Sequence, residues 1–109
     1  MNTNVSNVVV ECESIISCVE NVINLCDGND FVTNLLQVEE FETIRSTAEK
    51  MQTLVLDGRD VYEESITLYQ EVKYTLEALE ESIQDLDVLN QFNYIRASVN
   101  VIRNDLQSA

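Results

Sequence analysis

The chain has 109 residues, of which 45% are hydrophobic, so it is long enough to form one domain over residues 1–109 with its own core. Twenty Asp and Glu residues against six Lys and Arg give a formal net charge of −14. That charge argues against direct binding to nucleic acid or to an anionic membrane, and it favours a protein partner with a basic surface. The absence of proline and the presence of only two glycines argue against a protein of many short strands.

The first predicted helix covers residues 4–26, where apolar residues recur at alternating spacings of three and four. The residues on this face are Val5, Val8, Cys12, Ile15, Val19, Val22 and Cys26. A face of this kind is typical of a helix that packs in a bundle. The segment 27–30 is expected to end the helix, because Gly28 can adopt the left-handed conformation of a helix end and Asp30 can cap the next helix.

The second predicted helix covers residues 30–56. Its apolar positions are regular from Phe41 to Val55 and irregular before Phe41. A kink or a separate short turn near Gln37 is therefore an alternative to one straight helix. The pair Asp57-Gly58 is expected to end this helix.

The third predicted helix covers residues 60–86 and the fourth covers residues 88–106. Their apolar faces consist of Tyr62, Ile66, Tyr69, Val72, Leu76, Leu79, Ile83 and Leu86, and of Val88, Phe92, Ile95, Val99, Ile102 and Leu106. One continuous helix is an alternative, since neither Gly nor Pro separates them. The apolar phase shifts between Leu86 and Val88, which favours a turn with Asp87 as the N-cap of the fourth helix. Four such helices joined by short links predict an all-α, antiparallel up-down four-helix bundle.

All three cysteines lie on the first predicted helix. Cys12 and Cys18 are about 9 Å apart along its axis, and Cys12 and Cys26 about 21 Å. A disulfide requires Cα atoms within about 7 Å, so no pair among them can form one, and the three thiols cannot share a metal ion. Cys12 and Cys26 are expected to fill the core, and Cys18 is expected at its edge, partly exposed.

The sequence predicts no catalytic, cofactor-binding or metal-binding residue, and hence no enzyme. It contains no histidine, which excludes Ser-His and Cys-His nucleophile pairs and the histidine-containing di-iron motif of helical bundles. No glycine-rich loop is present to bind a phosphate. Adjacent carboxylates such as Glu63 and Glu64 fall on the polar side of a helix, whereas a carboxylate in acid–base catalysis needs burial or a coupled partner.

The third predicted helix carries half of the net negative charge, since its eight acidic residues and one lysine leave seven net negative charges. At about 100° per residue, six of the carboxylates fall on a row almost opposite the apolar face, about 35 Å long. These six are Asp60, Glu63, Glu64, Glu71, Glu81 and Asp85. We expect this row to bind a basic surface on a partner, with solubility as the alternative explanation.

A basic surface that normally holds DNA or RNA would be blocked by carboxylates arranged like a line of phosphates. In composition the chain resembles small acidic inhibitors of phage or mobile-element origin and immunity proteins that neutralise nuclease toxins, although it matches no family motif. The first hypothesis is therefore an acidic helical inhibitor or nucleic-acid mimic. We expect it in the cytoplasm (the host cytoplasm for a phage or viral protein), because the sequence shows no signal-peptide pattern.

The first and fourth predicted helices also carry apolar residues outside their core faces. These residues are Val10, Leu25, Tyr94 and Val101. Low charge combined with exposed apolar side chains is typical of a protein–protein contact. The second hypothesis is therefore a helical adaptor, secretion partner or chaperone that binds through these residues. Homo-oligomerisation through the same surface is a further alternative.

Overall fold

The computed structural model describes residues 3–26 and 38–108 of the chain. These ranges contain four α-helices and no strand: α1 (Thr3–Cys26), α2 (Val38–Leu56), α3 (Tyr62–Glu80) and α4 (Leu86–Ser108). The prediction of an all-α four-helix bundle is confirmed. The predicted start of the second helix at residue 30 and the alternative kink near Gln37 lie outside the described residues.

Neighbouring helices run antiparallel, as the contacts between them show. Between α1 and α4, Ser14 pairs with Ser98 and Asn21 with Gln91, so residue numbers rise along one helix as they fall along the other. The other neighbours are joined in the same sense. Gln52–Val9 and Arg45–Glu20 join α1 to α2, and Thr47–Glu71 joins α2 to α3. Arg96–Glu80 and Arg103–Tyr69 join α3 to α4. The helices form a closed ring around one core, in a rod of 46 × 20 × 19 Å.

The core contains the described residues of the predicted faces of α1, α2 and α4, although Leu106 is only partly buried and the side chain of Val5 lies outside the described residues. Its buried residues on these helices include Val8, Cys12, Ile15, Val19 and Val22, then Phe41, Ile44, Ala48, Met51 and Val55, and finally Val88, Phe92, Ile95, Val99 and Ile102. The rings of Phe41 and Phe92 stack with 5.8 Å between their centroids, which joins α2 to α4 across the core.

The core face of α3 differs from the predicted face over its first two turns, and the predicted core residue Leu86 is 74% exposed at the start of α4. In those two turns of α3, Val61, Ser65 and Leu68 are buried, whereas Tyr62 and Ile66 are exposed. The prediction was wrong by one residue because both rows contain apolar side chains and because a serine is an unusual core residue. The Ser65 hydroxyl donates a 2.6 Å hydrogen bond to the carbonyl oxygen of Tyr62, which satisfies it inside the core.

The third helix is also shorter than predicted, since α3 ends at Glu80 and residues 81–85 are not helical. The predicted separation of the third and fourth helices is confirmed, but the capping residue is Asp85 and not Asp87. Asp85 Oδ1 accepts hydrogen bonds from the backbone N–H groups of Asp87, at 2.9 Å, and of Val88, at 3.3 Å. Ending α3 early also lets Ile83 enter the core from the turn.

The second helix ends at the predicted Asp57-Gly58 pair. Gly58 has a φ of 77°, a conformation that residues with a Cβ adopt only with strain. Its N–H group donates a hydrogen bond to the carbonyl oxygen of Val55 at 3.0 Å. The N–H group of Arg59 donates one to the carbonyl oxygen of Leu54 at 2.9 Å. This is the Schellman pattern of a helix end, and it reverses the chain so that α3 can return beside α2.

Candidate protein-binding face

The four apolar side chains that were predicted to form an interface are all on the surface of α1 and α4. Val10 is 59% exposed, Leu25 41%, Tyr94 58% and Val101 39%. Leu25 and Tyr94 line one groove between the two helices, with a volume of about 430 Å³. The other side chains that line this groove are Asn21, Asn24, Asp87, Asn90 and Gln91.

The register of α1 and α4 places Val10 and Val101 together at the other end of the same surface. Ser98 Oγ donates a hydrogen bond to Ser14 Oγ at 3.3 Å, which fixes the alignment of the two helices. One helical turn further along, this antiparallel alignment brings residue 10 opposite residues 101 and 102. The structure therefore brings all four predicted interface residues to one side of the bundle.

We call this surface the α1–α4 face. It consists of Val10, Ser14, Ser17, Asn21, Asn24 and Leu25 on α1, and of Asn90, Gln91, Tyr94, Ala97, Ser98 and Val101 on α4. None of these twelve residues is charged, although 24% of the residues in the chain are charged. The face is an uncharged surface on a strongly acidic protein.

Exposed asparagines extend the uncharged surface around α4. Asn90, Asn93, Asn100 and Asn104 occur with Ala97 at spacings of three and four, so they follow one side of the helix. No charged residue interrupts this row between Asp87 and Asp105, over about 27 Å of helix. Apolar periodicity alone does not reveal these polar residues, so they were not predicted. The helical spacing of the asparagines is the signal that could have found them.

Acidic residues border the α1–α4 face. Glu13 and Glu20 are exposed on α1, each four residues from a member of the face, Ser17 and Asn24 respectively. Asp87 lines the groove at the start of α4. The pattern is an uncharged centre with an acidic margin.

The six carboxylates that were predicted to form an acidic row do not follow one helix. Asp60 precedes α3, where its Oδ1 accepts a 3.1 Å hydrogen bond from the backbone N–H group of Tyr62. Asp85 caps α4, and Glu81 lies in the turn after α3. The predicted row of about 35 Å is therefore wrong as geometry, because it assumed one helix from residue 60 to residue 86. Partner binding by these carboxylates stays a prediction.

Within α3, Glu71 faces α2 and is half-buried. The hydroxyl of Thr47 donates a hydrogen bond to its Oε1 at 2.6 Å. Burial raises the pKa of the Glu71 carboxyl above its ordinary value of 4.5, and the bond from Thr47 offsets part of that rise. Glu64 is also half-buried, and its Oε2 is enclosed without a hydrogen-bond partner among the described residues. Glu63 is exposed.

The two cysteines whose side chains are described are poorly suited to chemistry. Burial, together with the nearby charge of Glu11, raises the pKa of the Cys12 thiol from 9.0 to about 12. Cys18 is only 7% exposed, which corrects the prediction that it is partly exposed. Burial raises the pKa of its thiol as well, and a hydrogen bond with Ser14 partly opposes that rise. Such thiols are rarely ionised at neutral pH and are weak nucleophiles. The Cys26 side chain lies outside the described residues.

Residues 3–26 and 38–108 contain no group of three or more His, Cys, Asp or Glu side chains that could hold a metal ion. No described helix combines the length and the apolar character needed to cross a bilayer. Comparison with known proteins finds no matching family model, curated protein or solved structure.

Proposed function

We propose that this protein is a non-enzymatic helical module that binds a protein partner through the α1–α4 face. The observation that supports this function is the lack of charge on one face of a chain with a net charge of −14. The centres of protein interfaces are depleted in charged residues and enriched in aromatic ones, whereas a surface that only faces water gains from charges. Tyr94, beside the groove, has the chemistry of an interface anchor.

The partner that fits this face has an apolar patch surrounded by Lys and Arg side chains. Leu25 and Tyr94 would contact the patch, and the asparagines would exchange hydrogen bonds around it. The acidic margin, with Glu13, Glu20 and Asp87, would attract the basic surround and speed association. Self-association fits less well, because it would bring two acidic margins and two chains of net charge −14 together.

The test places charge on the face and compares it with the same charge elsewhere. Tyr94→Glu combined with Val101→Glu adds two carboxylates to the α1–α4 face. The matched control combines Leu56→Glu with Tyr74→Glu, which adds the same charge at two exposed apolar positions outside the face. Because all four side chains are exposed, both variants should keep the helix content of the wild type by circular dichroism.

A photo-crosslinking amino acid at position 90 would identify the partner, and calorimetry with the purified partner would then give the Kd. We expect the face variant to bind at least about tenfold more weakly, because charges would be buried at the interface, and the control to change Kd by less than about twofold. Equal effects of the two variants would contradict the proposal. A dimer seen by light scattering and dissociated by the face variant alone would assign the face to self-association.

An inhibitor of a nucleic-acid-binding protein is the second candidate function. The observation that favours it is the net charge of −14, since a partner selected by that charge would carry a basic surface of the kind that holds DNA or RNA. Binding through the α1–α4 face would then displace the nucleic acid by covering that surface. A competition experiment with a labelled oligonucleotide on the purified partner tests it. If the partner bound the oligonucleotide and this protein at the same time, the inhibitor function would be excluded, and the adaptor function would remain.

A further inference from the structure

A second groove, between α3 and α4, gathers positive charge on this acidic protein. It has a volume of about 230 Å³, and its lining residues are Tyr69, Val72, Lys73, Glu77, Arg96, Val99 and Asn100. Three of the chain's six basic residues line it or contact its lining: Lys73, Arg96 and Arg103. With twenty acidic residues in the chain, each of these cations would be expected to have an acidic partner.

Within residues 3–26 and 38–108, two of the three cations have no acidic partner. Arg96 is paired with Glu80 at 2.8 Å, but neither Lys73 nor Arg103 forms an ion pair within the described part of the chain. Both lie over the ring of Tyr69, with Arg103 Cζ at 4.0 Å and Lys73 Nζ at 6.0 Å from its centroid. The two positive centres are therefore within about 10 Å of each other, which is about one Debye length at 0.1 M salt, so they repel each other. An anion between them would remove that repulsion.

Apolar side chains also line the groove, beside the polar Glu77 and Asn100. Val72 and Val99 are buried at its base, and Tyr69 is half-buried in its wall. Ile66 and Tyr62 precede Tyr69 by three and seven residues, so they continue this apolar side of α3, and both are exposed. The sequence pattern assigned these two residues to the core, whereas the structure exposes them one and two helical turns before Tyr69.

We propose that the α3–α4 groove binds a small carboxylic acid with an apolar body. The carboxylate would lie between Lys73 and Arg103, whose guanidinium can bind it through two parallel hydrogen bonds. The apolar body would pack on Tyr69, Val72 and Val99. Glu77 lines the groove one helical turn beyond Lys73, so repulsion from its carboxylate sets the orientation of the ligand.

The volume limits the size of the ligand. At about 30 Å³ for each water, the groove holds about eight waters, which corresponds to an acid of about ten to twelve non-hydrogen atoms. Typical pockets for drug-sized ligands are larger, at about 300–1,000 Å³. The groove lies on a different side of α4 from the α1–α4 face, so this site does not depend on the proposed partner binding.

Titration of the full chain with 4-phenylbutyrate, followed by amide NMR spectra, tests the site. We expect saturable shifts at Tyr69, Lys73 and Val99 with a Kd of about 1 mM, and binding of the neutral 4-phenylbutyramide at least about tenfold weaker. Equal binding of acid and amide, or no saturation by the acid at about 20 mM, would overturn the proposal.

Charge-matched variants locate the carboxylate. Lys73→Gln combined with Arg103→Gln should weaken the acid at least about tenfold, while Lys50→Gln with Arg59→Gln, which gives the same net charge, should change its Kd by less than about twofold. If the first variant fails to fold, Lys73→Gln alone, at an exposed position, should still weaken the acid. Glu77→Gln should strengthen binding, because it removes the competing charge. Similar losses in both charge-matched variants would overturn the assignment.

The same carboxylate could belong to a free acid or to the C-terminus of another protein. N-acetyl-leucine represents such a terminus within the size limit of the groove. Tighter binding of N-acetyl-leucine than of 4-phenylbutyrate would identify a protein terminus as the source, and the reverse order would identify a free acid.

Discussion

The Thr47 hydroxyl and the Glu71 carboxylate are joined by a 2.6 Å hydrogen bond across the seam between α2 and α3. Glu71 is half-buried there, so burial raises the pKa of its carboxyl. A residue that looked like part of an acidic surface in the sequence is therefore a structural link between two helices.

Replacing Glu71 by Gln should stabilise the protein at neutral pH. Because the pKa of Glu71 is raised in the folded chain, its contribution to stability is fully present below its unfolded pKa of about 4.5 and is lost as pH rises through the folded value. Gln retains an oxygen that can accept the Thr47 bond and carries no charge. We expect a gain below about 1 kcal/mol at pH 7, since the carboxyl is partly solvated, and no gain near pH 3.5. Thermal melts at the two pH values measure it. An equal gain from Glu63→Gln, at an exposed position of the same helix, would contradict this cause.

Serine should be tolerated better at position 18 than at position 12. The Cys18 thiol already has a hydrogen bond with the Ser14 hydroxyl, which a serine hydroxyl could keep, whereas Cys12 is completely buried and has no such bond. We expect Cys12→Ser to cost about 1–3 kcal/mol and Cys18→Ser to cost clearly less. Urea denaturation measures both free energies of unfolding. Equal losses would show that the Ser14 hydroxyl does not compensate the buried serine.

Truncation of Asp85 should destabilise the bundle more than truncation of Asp87. The Asp85 carboxylate accepts two backbone hydrogen bonds at the start of α4. We expect Asp85→Ala to cost about 1 kcal/mol, and Asp87→Ala to cost less because only its favourable interaction with the helix dipole is lost. Asp85→Asn should retain most of the stability, since asparagine is also a good N-cap. A larger loss of stability from Asp87→Ala would show that Asp87, the N-cap predicted from the sequence, is the capping residue.

Two pairs of exposed glutamates distinguish the two surfaces that could meet a basic partner. Glu13→Gln with Glu20→Gln removes two charges from the margin of the α1–α4 face, and Glu63→Gln with Glu81→Gln removes two from the predicted acidic row. We expect the first pair to lower the association rate with the purified partner about three- to tenfold at low salt, and by less at high salt, where screening already weakens attraction. Stopped-flow mixing measures the rates. A larger effect of the second pair would show that the partner binds the predicted acidic row and not the α1–α4 face.

The sequence was a good guide to α1, α2 and α4 because their core positions are apolar and their outer positions are mostly polar. It failed for α3, where Tyr62 and Ile66 compete with Val61 and Leu68 for the core side. Only packing against the other helices decides which of those rows is buried. In the observed packing Ser65 is buried, and its hydroxyl donates a hydrogen bond to the carbonyl oxygen of Tyr62. The end of α3 was missed for a similar reason, since a cap at Asp85 or at Asp87 is equally compatible with local sequence rules.

The exposure of Val10, Leu25, Tyr94 and Val101 could be predicted, because each lies off a regular core row. Their convergence on one face depends on the pairing of α1 with α4, which helical periodicity in single segments does not contain. The groove between α3 and α4 could not be predicted either, because it requires both the pairing of α3 with α4 and the true core face of α3.

The α1–α4 face joins residues that are 70 and 84 positions apart in the chain, as Asn21–Gln91 and Ser14–Ser98 show. Contacts between such distant residues carry the largest loop-closure cost, and they require α4 to be present. A chain cut before α4 therefore cannot present the face. A partner that recognises it would bind only molecules in which α4 has docked on α1, so binding would also report whether the bundle has folded.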